Sequence, residues 1–77
     1  MVEAYVLIQA EVGRAAEVAA EVGKIPGARF ADVVTGPYDV VFRVEAAEID
    51  GLGKLIVAKV QAVVGVTRTL TCPVLHL

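Results

Sequence analysis

The sequence of 77 residues has few of the side chains that commonly carry catalysis or bind metals. It contains no serine or tryptophan, and it has one cysteine and one histidine. A lone cysteine cannot form an internal disulfide, and no Cys/His spacing matches a zinc site. Without serine or a glycine-rich phosphate loop, hydrolytic and metal-dependent chemistry are disfavoured. We therefore expect no catalytic residue, no metal and no cofactor.

The cysteine and the histidine both have plain structural interpretations. Cys72 alternates with Leu70 and Val74, which predicts a buried and inert thiol. His76 is the penultimate residue, and we expect it in a frayed tail.

Charge and hydropathy exclude further classes of protein. Seven Lys and Arg residues stand against nine Asp and Glu residues, and the basic ones are scattered. Direct nucleic-acid binding is not expected, because phosphate contacts need clustered positive charge. No apolar run approaches the ~20 residues that span a bilayer. The N-terminal segment carries Glu3 and Glu11 without a basic lead-in, so it does not resemble a secretion signal. These features predict a cytoplasmic protein without membrane contact.

The sequence is nevertheless rich in apolar side chains, which make up 57% of its residues. A domain of this size buries only roughly 60% of the surface that its unfolded chain exposes. Large apolar patches are rare on soluble monomers. The excess predicts that another subunit covers part of the surface.

Hydrophobic periodicity predicts the element order βαββαβ in one domain, residues 1–77. The predicted strands are Val2–Glu11, Ala28–Thr35, Val40–Glu45 and Val66–Leu77, and the predicted helices are Ala15–Ile25 and Ala47–Val64. Right-handed crossovers give an α+β, ferredoxin-like sandwich with a four-stranded antiparallel sheet and two helices on one face.

Nothing in the chain is expected to cover the other face of the sheet. A partner sheet about 10 Å away would cover it, most simply in an isologous dimer. The expected members are Tyr5, Leu7, Val33, Val41, Thr67, Thr69 and Thr71, or the complementary set where a bulge shifts the register.

One segment combines a glycine, an aromatic ring and a carboxylate at the tip between two apolar strands. It reads Val34-Thr35-Gly36-Pro37-Tyr38-Asp39. Asp39 is suited to accept hydrogen bonds from an ammonium group, and backbone N–H groups near Gly36 are suited to a carboxylate. This arrangement fits a zwitterion such as an amino acid. The alternative is that Gly36 and Asp39 simply form the turn.

The same segment resembles the V-T-G-x-[YF]-D signature of the Lrp/AsnC feast/famine regulators, found in their effector-binding RAM domain. Three further segments resemble the same domain in the same order: Ala4–Ile8, Ile25–Ala28 and Gly65–Thr71. The resemblance covers essentially the whole chain.

The resemblance implies a ferredoxin-like subunit that dimerises through its sheet. Members of the family often assemble further, into tetramers, octamers or decamers, with amino-acid effectors between dimers. Carried over by motif, Gly36, Tyr38 and Asp39 would line that pocket, with Thr69 and Thr71 as additional polar contacts. The family's helix-turn-helix domain is missing, and Met1 directly precedes the first strand. We expect a stand-alone RAM domain, for which full-length family members are candidate partners.

The leading hypothesis is a non-catalytic oligomeric sensor of an amino acid or a related small molecule, which regulates transcription or amino-acid metabolism through partner proteins. Two alternatives stay open. One is a small dimeric α+β-barrel enzyme, similar to a monooxygenase or an isomerase, because fold alone does not separate it from a sensor. The other is an oligomerisation module without a ligand.

Overall fold

Burial alternates along the two central strands of a sheet, one face of which is packed under helices. The computed structural model describes all 77 residues. Its elements are β1 (Val2–Ala10), α1 (Ala15–Val22), β2 (Ala28–Val33), β3 (Val40–Ala46), α2 (Ile49–Leu55), a π-helical segment (Ile56–Val60) and β4 (Val66–Pro73). The sheet is antiparallel in the order β2-β3-β1-β4. The predicted ferredoxin-like architecture is therefore confirmed.

The core lies between the sheet and the helices that cover one of its faces. Its strand members are Ala4, Val6, Ile8, Val40, Phe42 and Val44, and its helical members are Val18, Val22, Leu52, Ile56 and Val60. Only 12 of the 77 residues are buried. Since more than half of the residues are apolar, most apolar side chains remain outside this core.

The second helical element differs from the single α-helix that periodicity predicts. After Leu55 the helix continues as the π-helical segment. Gly51 and Gly53 lie in α2, and a Cβ atom added at either one would meet no atom within 4 Å. Neither glycine is therefore needed for the close approach of another segment of this chain.

The open face of the sheet, on the side away from the helices, carries Tyr5 and Leu7 from β1 and Val41 from β3, as predicted. Val33, however, pairs with the buried Val40, so it belongs to the helix-covered side of the sheet. Phe30 pairs with Arg43 and is the aromatic residue that β2 contributes to the open face.

On β4 the complementary set occupies the open face. Thr69 pairs with Ile8 and Thr71 with Val6, both core residues. The open face instead receives the β4 partners of Gln9, Leu7 and Tyr5, which are Arg68, Leu70 and Cys72. The register shifts between Gln9 and Ala10, where Thr67 is the extra residue on β4. A bulge of one residue transfers every later side chain to the other face, which is why the complementary set, the alternative given for a bulge, applies on β4 and the first set does not.

The bulge also changes the interpretation of Cys72. Its predicted alternation with Leu70 is correct, but that row lies on the open face, and Cys72 is an exposed free thiol rather than a buried one. His76 lies beyond β4 and is exposed.

None of the helices is long and apolar enough to cross a membrane.

Candidate ligand-binding site

The turn between β2 and β3 lies at the end of the sheet where β1 ends and β4 begins. Its base is closed by the Val34 N–H, which donates to the Asp39 carbonyl at 2.9 Å. Gly36 has a φ of +144°, a backbone conformation that favours glycine. A Cβ atom at Gly36 would nevertheless meet no atom within 4 Å, so the space beside it is open. The turn therefore combines a glycine-dependent backbone with unoccupied space.

Asp39 attaches this turn to β1. Its backbone N–H donates to the Ile8 carbonyl at 2.9 Å, and its Oδ2 accepts from the Ala10 N–H at 2.8 Å. The residue is half-buried. One carboxylate oxygen thus has a structural partner, while Oδ1 has none within the chain and is available to a donor. The turn-forming and ligand-binding interpretations of Asp39 are compatible.

A second bridge from β1 supports the same turn. The Gln9 side-chain amide donates to the Pro37 carbonyl at 3.0 Å. Tyr38, between these two anchored residues, is half-buried, and its hydroxyl makes no hydrogen bond within the chain. Gly36, Tyr38 and Asp39 therefore lie together on a turn that is fixed on both sides.

Thr69 lies two strands away from this turn, on the edge strand β4. Its Oγ1 accepts a hydrogen bond from the Gln61 amide at 3.2 Å. A shallow groove of about 360 Å³ runs along this edge, lined by Gln61, Val66, Thr67, Arg68 and Thr69. The lining is mostly polar, which suits a polar ligand group.

Thr71 lies in different surroundings. It lines a groove of about 260 Å³ that is mainly apolar, together with Ile49, Leu52, Gly53, Ile56, Val57 and Pro73. The structure thus brings Gly36, Tyr38 and Asp39 together, places Thr69 at the same end of the sheet, and sets Thr71 apart. Ligand binding by all five residues stays a prediction.

Sequence reasoning missed the neighbours that strand pairing supplies to the turn. Gln9 and the Ala10 N–H come from a strand almost thirty residues earlier, and Arg68 pairs with Gln9 across β1 and β4. Only the register of the strands, including the bulge, reveals these contacts. The sequence contains one signal for these contacts, namely the polar residue Gln9 near the end of a mainly apolar strand.

A polar network occupies the opposite end of the open face. Arg43 donates to the Tyr5 hydroxyl at 2.6 Å, forms an ion pair with Glu3, and lies 5.0 Å from the centre of the Tyr5 ring. Tyr5 in turn packs against Phe30, with ring centroids 6.4 Å apart. This Arg43 cluster fixes an aromatic surface on the open face.

The Arg43 cluster also shifts the titration of its members. The hydrogen bond from Arg43 holds the pKa of the Glu3 carboxyl below its ordinary value, against the opposing effect of burial. The same bond raises the pKa of the Arg43 guanidinium.

Part of this chain is similar in sequence to a curated transcriptional regulator. The chain is 36% identical over 55 residues to an uncharacterized HTH-type transcriptional regulator of Pyrococcus furiosus. The alignment covers 71% of this chain and 37% of that protein. The chain thus matches somewhat more than a third of the length of this curated relative.

Solved structures share the fold. A protein of Thermus thermophilus superposes with a TM-score of 0.93 at 27% identity, covering 100% of this chain and 96% of its own. A transcriptional regulator of Neisseria meningitidis, solved as a complex with L-Met, gives a TM-score of 0.85 at 19% identity, covering 97% of this chain and 50% of its own. The second likeness shows the fold alone.

The model of the Lrp/AsnC ligand binding domain matches residues 3–77, which is nearly the whole sequence. The match agrees with the βαββαβ order described above. This chain therefore belongs to the Lrp/AsnC ligand-binding domain family.

Proposed function

We propose that this domain is a non-catalytic oligomeric sensor that binds an amino acid or a closely related small molecule. Its output is regulation of transcription or amino-acid metabolism through partner proteins. The observation that carries the proposal is the anchored turn, where Asp39 is held by β1 yet keeps one carboxylate oxygen free. A free carboxylate oxygen beside open space at Gly36 is suited to an ammonium group.

The similar proteins support this choice of ligand class. The Neisseria meningitidis regulator of the same fold was solved with L-Met. The Pyrococcus furiosus relative is described as a transcriptional regulator, which favours a regulatory role over an enzymatic one.

The open face supports a second copy of this chain as the first partner. Two largely apolar rows cross its centre. One consists of Phe30, Arg43, Tyr5 and Cys72, and the other of Asp32, Val41, Leu7 and Leu70. The open face carries charges of both signs, with Glu3, Asp32 and Glu45 beside Arg29 and Arg43. A surface that carries both signs can match itself across a two-fold axis. Regulators that carry a helix-turn-helix domain are candidate partners of the resulting dimer.

Calorimetric titration of the assembled protein with the twenty amino acids tests the ligand. We expect at least one of them to release or absorb heat with saturable binding. Asp39→Asn keeps an oxygen that can accept from the Ala10 N–H and removes the negative charge, so binding should fall roughly tenfold or more while the fold is kept. Asp50→Asn, an exposed carboxylate on α2, is the matched control and should bind like the wild type.

Two results would contradict the sensor. Unchanged affinity of Asp39→Asn for the amino acid would show that Asp39 and its turn do not bind the ligand. An intact assembly that binds none of the twenty amino acids would instead favour the oligomerisation module without a ligand.

A further inference from the structure

The guanidinium of Arg68 is the one arginine head group of this chain without an ion-pair partner. Four of the seven Lys and Arg residues pair with carboxylates: Arg14, Lys24, Arg29 and Arg43. The remaining two lysines, Lys54 and Lys59, line a groove beside Pro26, at the end of α1. Arg68 is therefore the unpaired cation at the end of the sheet that carries the turn.

Strand register connects Arg68 to that turn. Arg68 pairs with Gln9, and the Gln9 amide donates to the Pro37 carbonyl. Asp39 reaches over the same strand, because its Oδ2 accepts from the Ala10 N–H. Arg68 on β4, Gln9 on β1 and Asp39, the residue before β3, thus lie at the same end of the sheet.

The spacing of these three residues fits a small zwitterion. Neighbouring strands lie about 4.8 Å apart, so the backbones at Arg68 and Asp39 are separated by about 10 Å. The Arg68 side chain can extend over Gln9 and shorten this gap.

The charges of Asp39 and Arg68 match those of an amino acid. Asp39 and Arg68 present opposite charges at this end of the sheet, as the ammonium and carboxylate groups of an α-amino acid require. A guanidinium binds a carboxylate through two parallel hydrogen bonds, a geometry that a lysine cannot reproduce. We propose that Arg68 binds the α-carboxylate of the effector whose ammonium group meets Asp39. This inference rests on the proposed function and adds to it a requirement for a free carboxylate in the ligand.

A ligand pair tests it: the tightest-binding amino acid of the calorimetric panel and the α-carboxamide of that same amino acid. The wild type should bind the acid roughly tenfold or more tightly than the amide, the scale of one charge-assisted contact. Arg68→Gln should weaken binding of the acid by a similar factor and abolish the preference. Arg68→Lys should keep only part of the preference. Lys59→Gln, another unpaired exposed cation, is the control and should retain the wild-type ratio.

Circular dichroism should show the same fold in all variants, since Arg68 is exposed. An acid-to-amide ratio that survives in Arg68→Gln would overturn the role of Arg68 and leave the sensor intact. Equal binding of the acid and the amide by the wild type would also overturn the role of Arg68 without contradicting the sensor. A wild type that binds no amino acid overturns the sensor and this inference together.

Discussion

At the scale of single residues, Asp39 shows how one side chain can serve both the fold and a site. Its Oδ2 satisfies the Ala10 N–H where β1 ends, and its backbone N–H bonds to Ile8. An unsatisfied N–H would be costly at this half-buried position. The turn and the free Oδ1 are therefore held in place by the same hydrogen bonds.

Asp39→Ala should lower the free energy of unfolding by about 1.5–3 kcal/mol, the usual range for a hydrogen bond to a charged group. Asp39→Asn retains an acceptor oxygen and should lower it by less. Urea denaturation measures the free energy of unfolding of both variants. Asp50→Ala, at an exposed helix position, is the control and should change this free energy little. Equal stability of Asp39→Ala and the wild type would show that the Ala10 hydrogen bond contributes nothing.

Glu3 and Arg43 predict a pH dependence with a definite sign. Because the ion pair lowers the pKa of Glu3 in the folded state, its stabilising contribution is present above the ordinary glutamate range and is lost as the pH falls through the lowered pKa. Arg43 has a raised pKa, so its own contribution is lost only at pH values above the ordinary arginine range.

NMR titration of the Glu3 carboxyl should therefore give a midpoint below the ordinary pKa of a glutamate. Arg43→Gln should move the midpoint back up, because the first cause of the shift is the Arg43 hydrogen bond. An identical midpoint in both proteins would contradict this assignment.

At the scale of elements, the sequence predicts what local periodicity controls. Alternation from Val2 to Ile8, incomplete at Tyr5 and Leu7, indicated a strand, and the helical spacing of Ala15, Val18 and Val22 indicated a helix. A bulge was kept open as an alternative, but its position on β4 was not predicted, because Thr67 looks like any other member of the alternation. Its hydroxyl bonds to the Gln9 carbonyl at 3.1 Å, a contact between residues far apart in sequence.

Glycines provide a matched test of element geometry. Gly27 has a φ of +95°, and a Cβ atom there would collide with the Glu45 carbonyl oxygen. The Glu45 N–H also donates to the Gly27 carbonyl at 3.0 Å. Gly27→Ala should therefore cost about 2–4 kcal/mol through strain and the displaced β3 backbone.

Gly53→Ala should act in the opposite direction. The residue is exposed within a helix and has open space around it, so alanine should stabilise by up to about 1 kcal/mol. Thermal unfolding of the two variants side by side measures the contrast. Two changes of the same sign would contradict the geometry given for one of the glycines.

At the scale of the whole molecule, the apolar excess corresponds to a definite surface. The candidate site was only partly predictable from the sequence, because some of its residues come together only in the folded sheet. Gly36, Tyr38 and Asp39 are neighbours in sequence and were found by motif, whereas Gln9 and Arg68 reach the turn only through the folded sheet. Residues brought together across three strands cannot be associated by local patterns.

Leu7→Asp should dissociate the assembly, because it places an unpaired charge at the centre of the apolar rows. Val57→Asp, an equally apolar but exposed helix position, is the control and should leave the assembly intact. Light scattering measures the mass, and circular dichroism should confirm that both variants are folded. A wild-type mass of one chain, 8.1 kDa, at every concentration would contradict a sheet-to-sheet dimer.

The most direct measurement is a crystal structure of this chain grown with the amino acid selected by calorimetry. We expect two sheets packed through their open faces, with the ligand's ammonium group at Asp39 and its carboxylate at Arg68. Open faces left in solvent, or a ligand bound away from the turn, would contradict the central claim that this domain senses an amino acid as an assembled oligomer.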